Sequence, residues 1–335
     1  MNAHNSSDLY RKANEILSPI LSYARYLDPY TVDGDWFLGR PFSEVQEAVS
    51  YLREGCDAGY RPAQVMLAEC LYRGYGVKQD HDAARKLFLE ASIAEDPIAQ
   101  FFLAQMYERG IAGSPCDYTQ ALELYRKSAS AGNLMAMVGL GSLYDQGHGV
   151  VKDEVEALKW YLKAAGLGDT NAQCELGRKY KNGYGVEKNE AEALKWYLKA
   201  AEFHPYAQYW VGEMYAEGRG VDKNEAEALK WYLRSAEYDV ESQFHVAEMY
   251  DYGHGVGKND AEALKWYLKA AEYHSGAQLR MGEIYEYGLF GVKRDYDKAK
   301  DWYMEAADHG DETAQTIVEC IRLDVYSFGV RNELE

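Results

Sequence analysis

The sequence predicts an all-α fold, a solenoid of stacked antiparallel helix pairs, and two repeated features support this prediction. The segment Ala-Glu-Ala-Leu-Lys-Trp-Tyr-Leu-Lys-Ala-Ala occupies residues 191–201 and returns with few changes at 226–236 and 261–271. Its Trp-Tyr pair recurs every 35 or 36 residues, with tryptophans at Trp160, Trp196, Trp231, Trp266 and Trp302. Self-similarity at such a period is typical of helix-pair repeats that share one continuous core.

The first half of each repeat has the pattern of a short helix that ends in a turn. In the fourth copy Ala172, Leu176 and Tyr180 fall on one helical face. Gly177 lies on the same face, where a larger side chain would hold the neighbouring helix away. The turn at 183–186, Gly-Tyr-Gly-Val, then reverses the chain, because its glycines can adopt positive φ angles.

The second half of each repeat predicts a helix that begins at a capping residue. Asn189 followed three residues later by Glu192 is a capping-box pattern. An apolar stripe of a large Trp-Tyr pair and a small Ala-Ala pair comes next. The small pair allows another helix to cross closely, and the large pair fills the space between layers. We therefore expect the tryptophans and tyrosines of these pairs to lie in the core.

The two ends of the chain depart from the repeat. Helical patterns are expected over 8–27 and 42–58, separated by a loop over 28–41 that is rich in proline and glycine. Terminal repeats are atypical because their outer face must meet water. The prediction is a divergent N-terminal cap, seven full repeats, and a C-terminal capping helix with a tail, at residues 1–62, 63–311 and 312–335.

Composition restricts the partners that the chain can bind. The net charge is −18, so phosphate-rich nucleic acid and anionic membrane surfaces are disfavoured, and a basic protein surface is the natural complement. No run of about 18 apolar residues predicts a membrane span. The five cysteines are odd in number and form no Cys-x-x-Cys, which favours buried thiols in a reducing compartment.

The expected location is the cytoplasm, because the polar N-terminus lacks the features of a signal peptide. The alternative is a periplasmic or secreted protein whose export signal lies outside this sequence. The sequence leaves the oligomeric state open. It contains no phosphate-binding loop, no Gly-x-Ser-x-Gly and no His-Glu-x-x-His, and its histidines are scattered, so we expect no cofactor, no metal site and no catalytic residue.

The repeated motif resembles a known family. Ala-x-x-x-Leu-Gly-x-x-Tyr-x-x-Gly-x-Gly-Val followed by Ala-x-x-Trp-Tyr-x-x-Ala-Ala is similar to the Sel-1-like repeat, a relative of the tetratricopeptide repeat. The resemblance covers residues 42–322 and implies a right-handed superhelix whose first helices line a concave surface. It also implies a role as an adaptor or scaffold for protein complexes. Some bacterial relatives neutralise a cognate toxin.

The chain departs from the family pattern in its later repeats. The glycine that closes the second helix at Gly168 and Gly310 is replaced by His204, Asp239 and His274, and the connections there are one residue shorter. The last repeat also has an insertion at 288–291, Gly-Leu-Phe-Gly.

A candidate binding face lies on the first helices, opposite their core stripe. Counted from the alanine (serine in the sixth copy) that opens each first helix, the third, sixth and tenth following residues point outward. In the last three repeats these residues are Trp210, Glu213, Glu217, His245, Glu248, Tyr252, Arg280, Glu283 and Tyr287. Stacking aligns the glutamates of the sixth position in an acidic column with a spacing of about 10 Å, flanked by aromatic residues.

Two interpretations of this face remain open. Aromatic residues beside carboxylates are typical anchors for a protein or peptide with arginine or lysine side chains. The alternative is a solvated face, since glutamates on a helix are usually exposed without a binding role. A further row, formed by Phe203, Tyr238 and Tyr273 at the ends of the second helices, is expected to pack between adjacent repeats.

These observations favour a non-catalytic interaction scaffold that binds a protein or peptide with a basic patch. A narrower alternative is an immunity protein that blocks a cognate bacterial toxin by direct binding, steered by its acidic charge. A remote alternative is a glycan hydrolase, because a chain with 54 acidic residues can pair carboxylates.

Overall fold

The computed structural model describes residues 3–24, 41–113, 115–323 and 328. Within these ranges all regular secondary structure is α-helical. No helix in the described part of the chain combines the length and the apolar character that crossing a bilayer requires. The loop expected over 28–41 and the tail after residue 323 lie almost entirely outside the described residues.

The chain divides into two compact units, Met1–Lys188 and Asn189–Glu335. The helices of unit 1 are α1 (Ala3–Ala24), α2 (Phe42–Asp57), α3 (Arg61–Arg73), α4 (His81–Ile93), α5 (Pro97–Arg109), α6 (Tyr118–Ser130), α7 (Leu134–Gln146), α8 (Glu154–Gly166) and α9 (Thr170–Asn182). The helices of unit 2 are α10 (Glu190–Ala200), α11 (Pro205–Glu217), α12 (Glu225–Ser235), α13 (Val240–Tyr252), α14 (Asp260–Ala270), α15 (Ser275–Tyr287), α16 (Tyr296–Asp308) and α17 (Glu312–Arg322).

Within each unit, helices that follow one another in the chain pack together, as a solenoid of helix pairs requires. The all-α solenoid predicted from the repeat is therefore confirmed. The short turns between helices make consecutive helices antiparallel. The helix expected over 42–58 is α2, and the predicted capping helix near the C-terminus is α17.

The predicted helix caps are present. Asn224 Oδ1 accepts a hydrogen bond from the Glu227 amide at 3.0 Å, and Asn259 Oδ1 accepts one from the Glu262 amide at 3.2 Å. The Glu227 carboxylate pairs with Lys230 at 2.7 Å. A side-chain cap satisfies amide groups that the helix itself leaves without a partner, and so defines where each second helix begins.

The second glycine of each Gly-x-Gly turn is required by a close approach of backbone. Gly185 has φ +70° in unit 1, and Gly255 has φ +69° in unit 2. A Cβ atom on Gly255 would collide with the backbone of Glu225 and Ala226, at the start of the preceding second helix. The turn thus lies against the preceding repeat, and only glycine fits both the space and the left-handed conformation.

The core of unit 2 is built from the small residues and the tyrosines of the repeat. Tyr267, Ala263 and Ala270 of α14 are fully buried, and they pack with Met281 and Ile284 of α15. Equivalent tyrosines are buried in the other second helices, which confirms their predicted place in the core.

The tryptophans of the Trp-Tyr pairs are only half-buried, so their predicted assignment to the core is wrong. Four of them, Trp160, Trp196, Trp231 and Trp266, have a cationic side chain over the ring. The distances from cation to ring centroid are 3.9 Å for Lys199 on Trp196, 4.5 Å for Arg234 on Trp231 and 5.1 Å for Lys269 on Trp266. The aliphatic stems of lysine and arginine can cover such rings while the charged group stays in water.

The cysteines are all free thiols. Cys70 and Cys174 are buried, and burial raises the pKa of both thiols well above the usual value. Cys56 and Cys320 are half-buried, and Cys116 is exposed. The expectation of buried thiols therefore holds for two positions and is wrong for Cys116.

Candidate protein-binding site

The nine residues of the predicted site lie on three helices of unit 2. Helix α11 carries Trp210, Glu213 and Glu217; α13 carries His245, Glu248 and Tyr252; and α15 carries Arg280, Glu283 and Tyr287. All nine are half-buried or exposed. We call this set the acidic–aromatic face.

The centre of the acidic–aromatic face is a histidine between two glutamates. His245 Nε2 lies 3.6 Å from Glu213 Oε1, and His245 Nδ1 lies 3.4 Å from Glu248 Oε2. The imidazole stacks on Tyr232 at 5.0 Å and on Tyr209 at 6.0 Å between ring centroids. Residues from α11, α12 and α13 thus meet at one point, which brings three of the predicted site residues together.

The two glutamates favour the protonated form of His245. Burial by itself lowers the pKa of the imidazole, but the hydrogen bond to Glu248 and the negative charges of Glu213, Glu248 and Glu241 outweigh burial, so the pKa is raised above its usual value. Glu213 also accepts a short hydrogen bond from the Tyr232 hydroxyl. Both carboxylates at the centre of the face therefore already have partners within the protein.

Trp210 belongs to an aromatic cluster on α11 and its neighbour α10. Its ring stacks on buried Tyr197 at 6.3 Å, with 18° between the planes. Tyr206 and Tyr209 contact it edge-on at 5.9 Å and 5.2 Å. Through Tyr209 the cluster continues to His245, so aromatic surface adjoins the acidic centre.

Arg280 forms a second charged group on the face. Its Nη1 donates to Glu283 at 2.6 Å, and its Nη2 donates to Asp251 at 2.8 Å. The guanidinium lies 5.8 Å from the ring centroid of Phe290. Burial opposes the charged guanidinium, but the hydrogen bonds to Glu283 and Asp251 outweigh burial and raise its pKa. The two carboxylates neutralise this cation, so it does not make the face basic.

Asp251 and Phe290 are parts of this group that the sequence analysis missed. Asp251 is buried and also accepts a hydrogen bond from the Tyr267 hydroxyl at 3.2 Å. Phe290 lies in the insertion of the last repeat, with φ +55°, and stacks on Tyr267 at 6.4 Å. The insertion thus supplies an aromatic ring beside Arg280.

A signal for Asp251 was present in the repeat. An acid also stands nine residues after the opening alanine at Glu108 and Glu286, and each accepts a hydrogen bond at 2.7 Å from the buried tyrosine of its own second helix. Asp251 with Tyr267 is the same pair. These carboxylates, of which Asp251 and Glu286 are buried, satisfy tyrosine hydroxyls that would otherwise lose a hydrogen bond to water.

The remaining site residues are at the C-terminal ends of the first helices. Glu217 forms an ion pair with Arg219 in the following turn. Tyr252 is 59% exposed, and burial together with nearby acids raises the pKa of its hydroxyl despite the opposing charge of Arg280. Tyr287 is half-buried. Tyr252 is therefore the most accessible aromatic ring on the face.

The chemistry of the face suits a cationic group. Carboxylates outnumber cations, and aromatic rings stand beside them, an arrangement that can hold a guanidinium or ammonium group. Among the described residues no three histidine, cysteine or carboxylate side chains are grouped closely enough to hold a metal ion.

Unit 1 presents different chemistry on its first helices. A cleft of about 300 Å³ is lined there by residues that include Arg73, Gln105, Arg109 and Ser142. Arg73 pairs with Glu69 at 3.1 Å. Arg73, Gln105, Arg109 and Ser142 thus stand at positions that glutamate or tyrosine holds in unit 2, whereas Glu69 keeps the glutamate.

The aromatic row Phe203, Tyr238 and Tyr273 does not pack between repeats. The three residues are 63%, 54% and 72% exposed, so the expected packing role is wrong. The shorter connections place them in the tight turn between a second helix and the next first helix, where the ring faces solvent.

Comparison with known proteins agrees with the repeat architecture. The sequence model of a family described as Sel1 repeat matches residues 61–96, 97–133, 134–169, 170–202, 205–237, 240–272 and 275–311. A protective antigen of uropathogenic Escherichia coli with an SLR fold is 29% identical, and the match covers 94% of this chain and 68% of that protein with a TM-score of 0.69. A Sel1 repeat protein from Oxalobacter formigenes is 32% identical over 73% of this chain and 99% of its own, with a TM-score of 0.65.

An immunity protein from Pseudomonas aeruginosa is a more distant match. It is 19% identical, covers 71% of this chain and 83% of its own length, and has a TM-score of 0.45. At that distance the likeness says nothing about the function of this chain.

Proposed function

The chain belongs to the Sel1 repeat family, and from this premise we propose that it is a non-catalytic interaction protein whose acidic–aromatic face binds a basic region of another protein. Proteins of this repeat class generally act as interaction scaffolds. The observation that carries the proposal is the cluster around His245, where carboxylates and aromatic rings from three helices converge. A partner's arginine or lysine would pair with the carboxylates and stack on the rings.

Charge supports the same partner chemistry. The whole chain has a net charge of −18, which attracts a basic surface over long range and repels acidic ones. The partner's cation would replace His245 at Glu213 and Glu248, or Arg280 at Glu283. Binding at this face is therefore expected to weaken as salt screens the charges.

The test is a double substitution on the face, Trp210→Ala with Glu248→Lys. The protein, tagged and purified from its own cells at low salt, is expected to retain one stoichiometric partner, identified by mass spectrometry. The double variant should lose that partner while its helical circular dichroism stays unchanged, because both side chains lie outside the fully buried core.

Asp222→Lys is the matched control. It makes the same charge change at an exposed turn position of unit 2 that is not one of the nine residues of the face, and should keep the partner. Equal retention of the partner by the double variant and the wild type would show that binding occurs elsewhere. A partner that is a secreted toxin would point to the immunity role.

A further inference from the structure

An exposed row of aromatic–glutamate pairs runs along unit 2 and shares no residue with the acidic–aromatic face. Each ring of the row follows directly after a glutamate: Glu202-Phe203, Glu237-Tyr238 and Glu272-Tyr273. All six residues are exposed. A single exposed aromatic residue is ordinary, but the same pair at the same position of three successive repeats forms a regular surface feature.

The backbone presents the three pairs in the same way. The amides of Phe203, Tyr238 and Tyr273 donate to the carbonyl oxygens of Ala200, Ser235 and Ala270 at 3.2, 3.0 and 3.1 Å. The amide of the next residue donates to the same carbonyl in each repeat. Because the turn is closed by two backbone hydrogen bonds, the backbone that carries each ring is ordered before any partner arrives, which lowers the entropy cost of binding.

The row is confined to three repeats. Positions equivalent to the rings hold small, aliphatic or imidazole side chains elsewhere, at Ala58, Ala94, Ala131, Leu167 and His309. The aromatic residues occur where the helix-closing glycine is missing and the connection is one residue shorter. The feature therefore depends on the same local departure from the repeat pattern.

The charges beside the rings are uncompensated. Among the described residues none of the glutamates Glu202, Glu237 and Glu272 takes part in an ion pair. The cations nearest to them in the chain, Lys199, Arg234 and Lys269, lie over tryptophan rings instead. Each aromatic–glutamate pair thus offers an exposed ring, and a carboxylate that forms no ion pair, to an incoming cation.

We propose that the aromatic–glutamate row is a second docking surface, which binds a protein segment that carries several arginine or lysine side chains. The proposal rests on the proposed function in one respect, because it requires an interaction protein. A second copy of this chain does not fit the row, since each copy has a net charge of −18 and would bring glutamates against glutamates. Anionic membranes and nucleic acids are repelled for the same reason.

The test uses fluorescence polarisation with two labelled peptides, one of repeated Arg-Ser-Ser units and one of repeated Asp-Ser-Ser units. The arginine peptide should bind the wild-type protein and the aspartate peptide should not. The row variant Phe203→Ala/Tyr238→Ala/Tyr273→Ala should bind the arginine peptide at least about tenfold more weakly, the combined effect of three exposed cation–π contacts. The variant Glu202→Gln/Glu237→Gln/Glu272→Gln, which keeps the rings, should also weaken binding.

The chain offers a matched control in Leu198, Leu233 and Leu268. These exposed leucines recur at the same period in the same three helices. Their triple substitution to alanine removes exposed apolar surface from the same helices but leaves every aromatic–glutamate pair intact, so it should leave peptide affinity unchanged. Circular dichroism of every variant should match the wild type, since the altered side chains are exposed.

Several outcomes would overturn the proposal. They are failure of the arginine peptide to bind, wild-type affinity in the row variant, and equal loss in the leucine control. Loss of binding only in Trp210→Ala/Glu248→Lys would place the peptide on the acidic–aromatic face, which supports the proposed function and rejects the row. Concentration-dependent dimerisation that disappears in the row variant would show that the occupant is a second copy.

Discussion

His245 is the residue of the acidic–aromatic face whose charge depends on pH near neutrality. Its neighbours are Tyr209 and Glu213 from α11, Tyr232 from α12, and Glu248 on its own helix. Because these carboxylates raise the folded-state pKa above the unfolded value, the protonated imidazole stabilises the fold. This stabilisation is complete below the unfolded pKa of about 6.5 and is lost as the pH rises through the folded pKa.

We predict that His245→Gln destabilises the protein more under acidic than under alkaline conditions. Urea unfolding of wild type and variant at about pH 5.5 and about pH 8.5, on either side of the ordinary histidine pKa, measures the difference. In the background of Glu248→Gln the pH dependence should shrink, because one partner of the imidazolium is gone. An equal loss of stability at both pH values, or an NMR titration of His245 at or below the ordinary value, would contradict this prediction.

Sequence reasoning found the exposed residues of the acidic–aromatic face more readily than the residues that they contact. The outward positions of Glu213 and Glu248 follow from helix periodicity alone. Their contacts with His245 and Tyr232 depend on how side chains from neighbouring helices interlock, which a repeat period does not specify. Asp251 was missed because an acid in a helical sequence is usually exposed, whereas here a buried tyrosine hydroxyl and Arg280 offset the cost of burial.

The Gly-x-Gly turn is the element that joins each repeat to the one before it. Gly255→Ala should destabilise the protein by at least about 2 kcal/mol, since a left-handed alanine costs roughly 1–2 kcal/mol and the collision with the backbone near Glu225 adds to it. Gly257 in the same turn has open space around its Cβ position and no positive φ. Gly257→Ala should change stability by only about 0.5 kcal/mol in either direction.

Chemical denaturation of the two glycine variants beside the wild type tests this prediction. A similar midpoint for Gly255→Ala and Gly257→Ala would mean that the turn can move away from α12 without cost.

Element positions were largely predictable because each repeat carries its own start and stop signals. Asparagine caps, glycine turns and the alternation of small and large apolar residues act locally, so helices such as α12 and α14 begin where the sequence indicates. The place of the tryptophans was not predictable from that pattern. A helical stripe assigns Trp and Tyr to one side, but only packing decides that Tyr232 is buried while Trp231 lies at the rim beneath Arg234.

Within each of the two units the helices pack almost entirely on their neighbours in the chain, so local damage should stay local. In such an array stability is close to a sum of repeat terms and nearest-neighbour terms, and individual segments open separately. This distinguishes the chain from a globular domain, in which a core substitution lowers the protection of every buried amide.

We therefore predict a graded hydrogen-exchange response to Gly255→Ala. Amides of α12, α13 and α14 should exchange faster than in the wild type, because the substituted turn connects α13 to α14 and lies against the start of α12. Amides of α5 and α6 should keep their protection, since none of their packing partners is altered. Mass spectrometry of exchanged peptides resolves these segments, with Gly257→Ala as the reference variant. Uniformly faster exchange in all helices would contradict this prediction, because it would mean that the repeats unfold as one cooperative body. In that case a partner bound at the acidic–aromatic face would stabilise the entire chain instead of only the repeats that it touches.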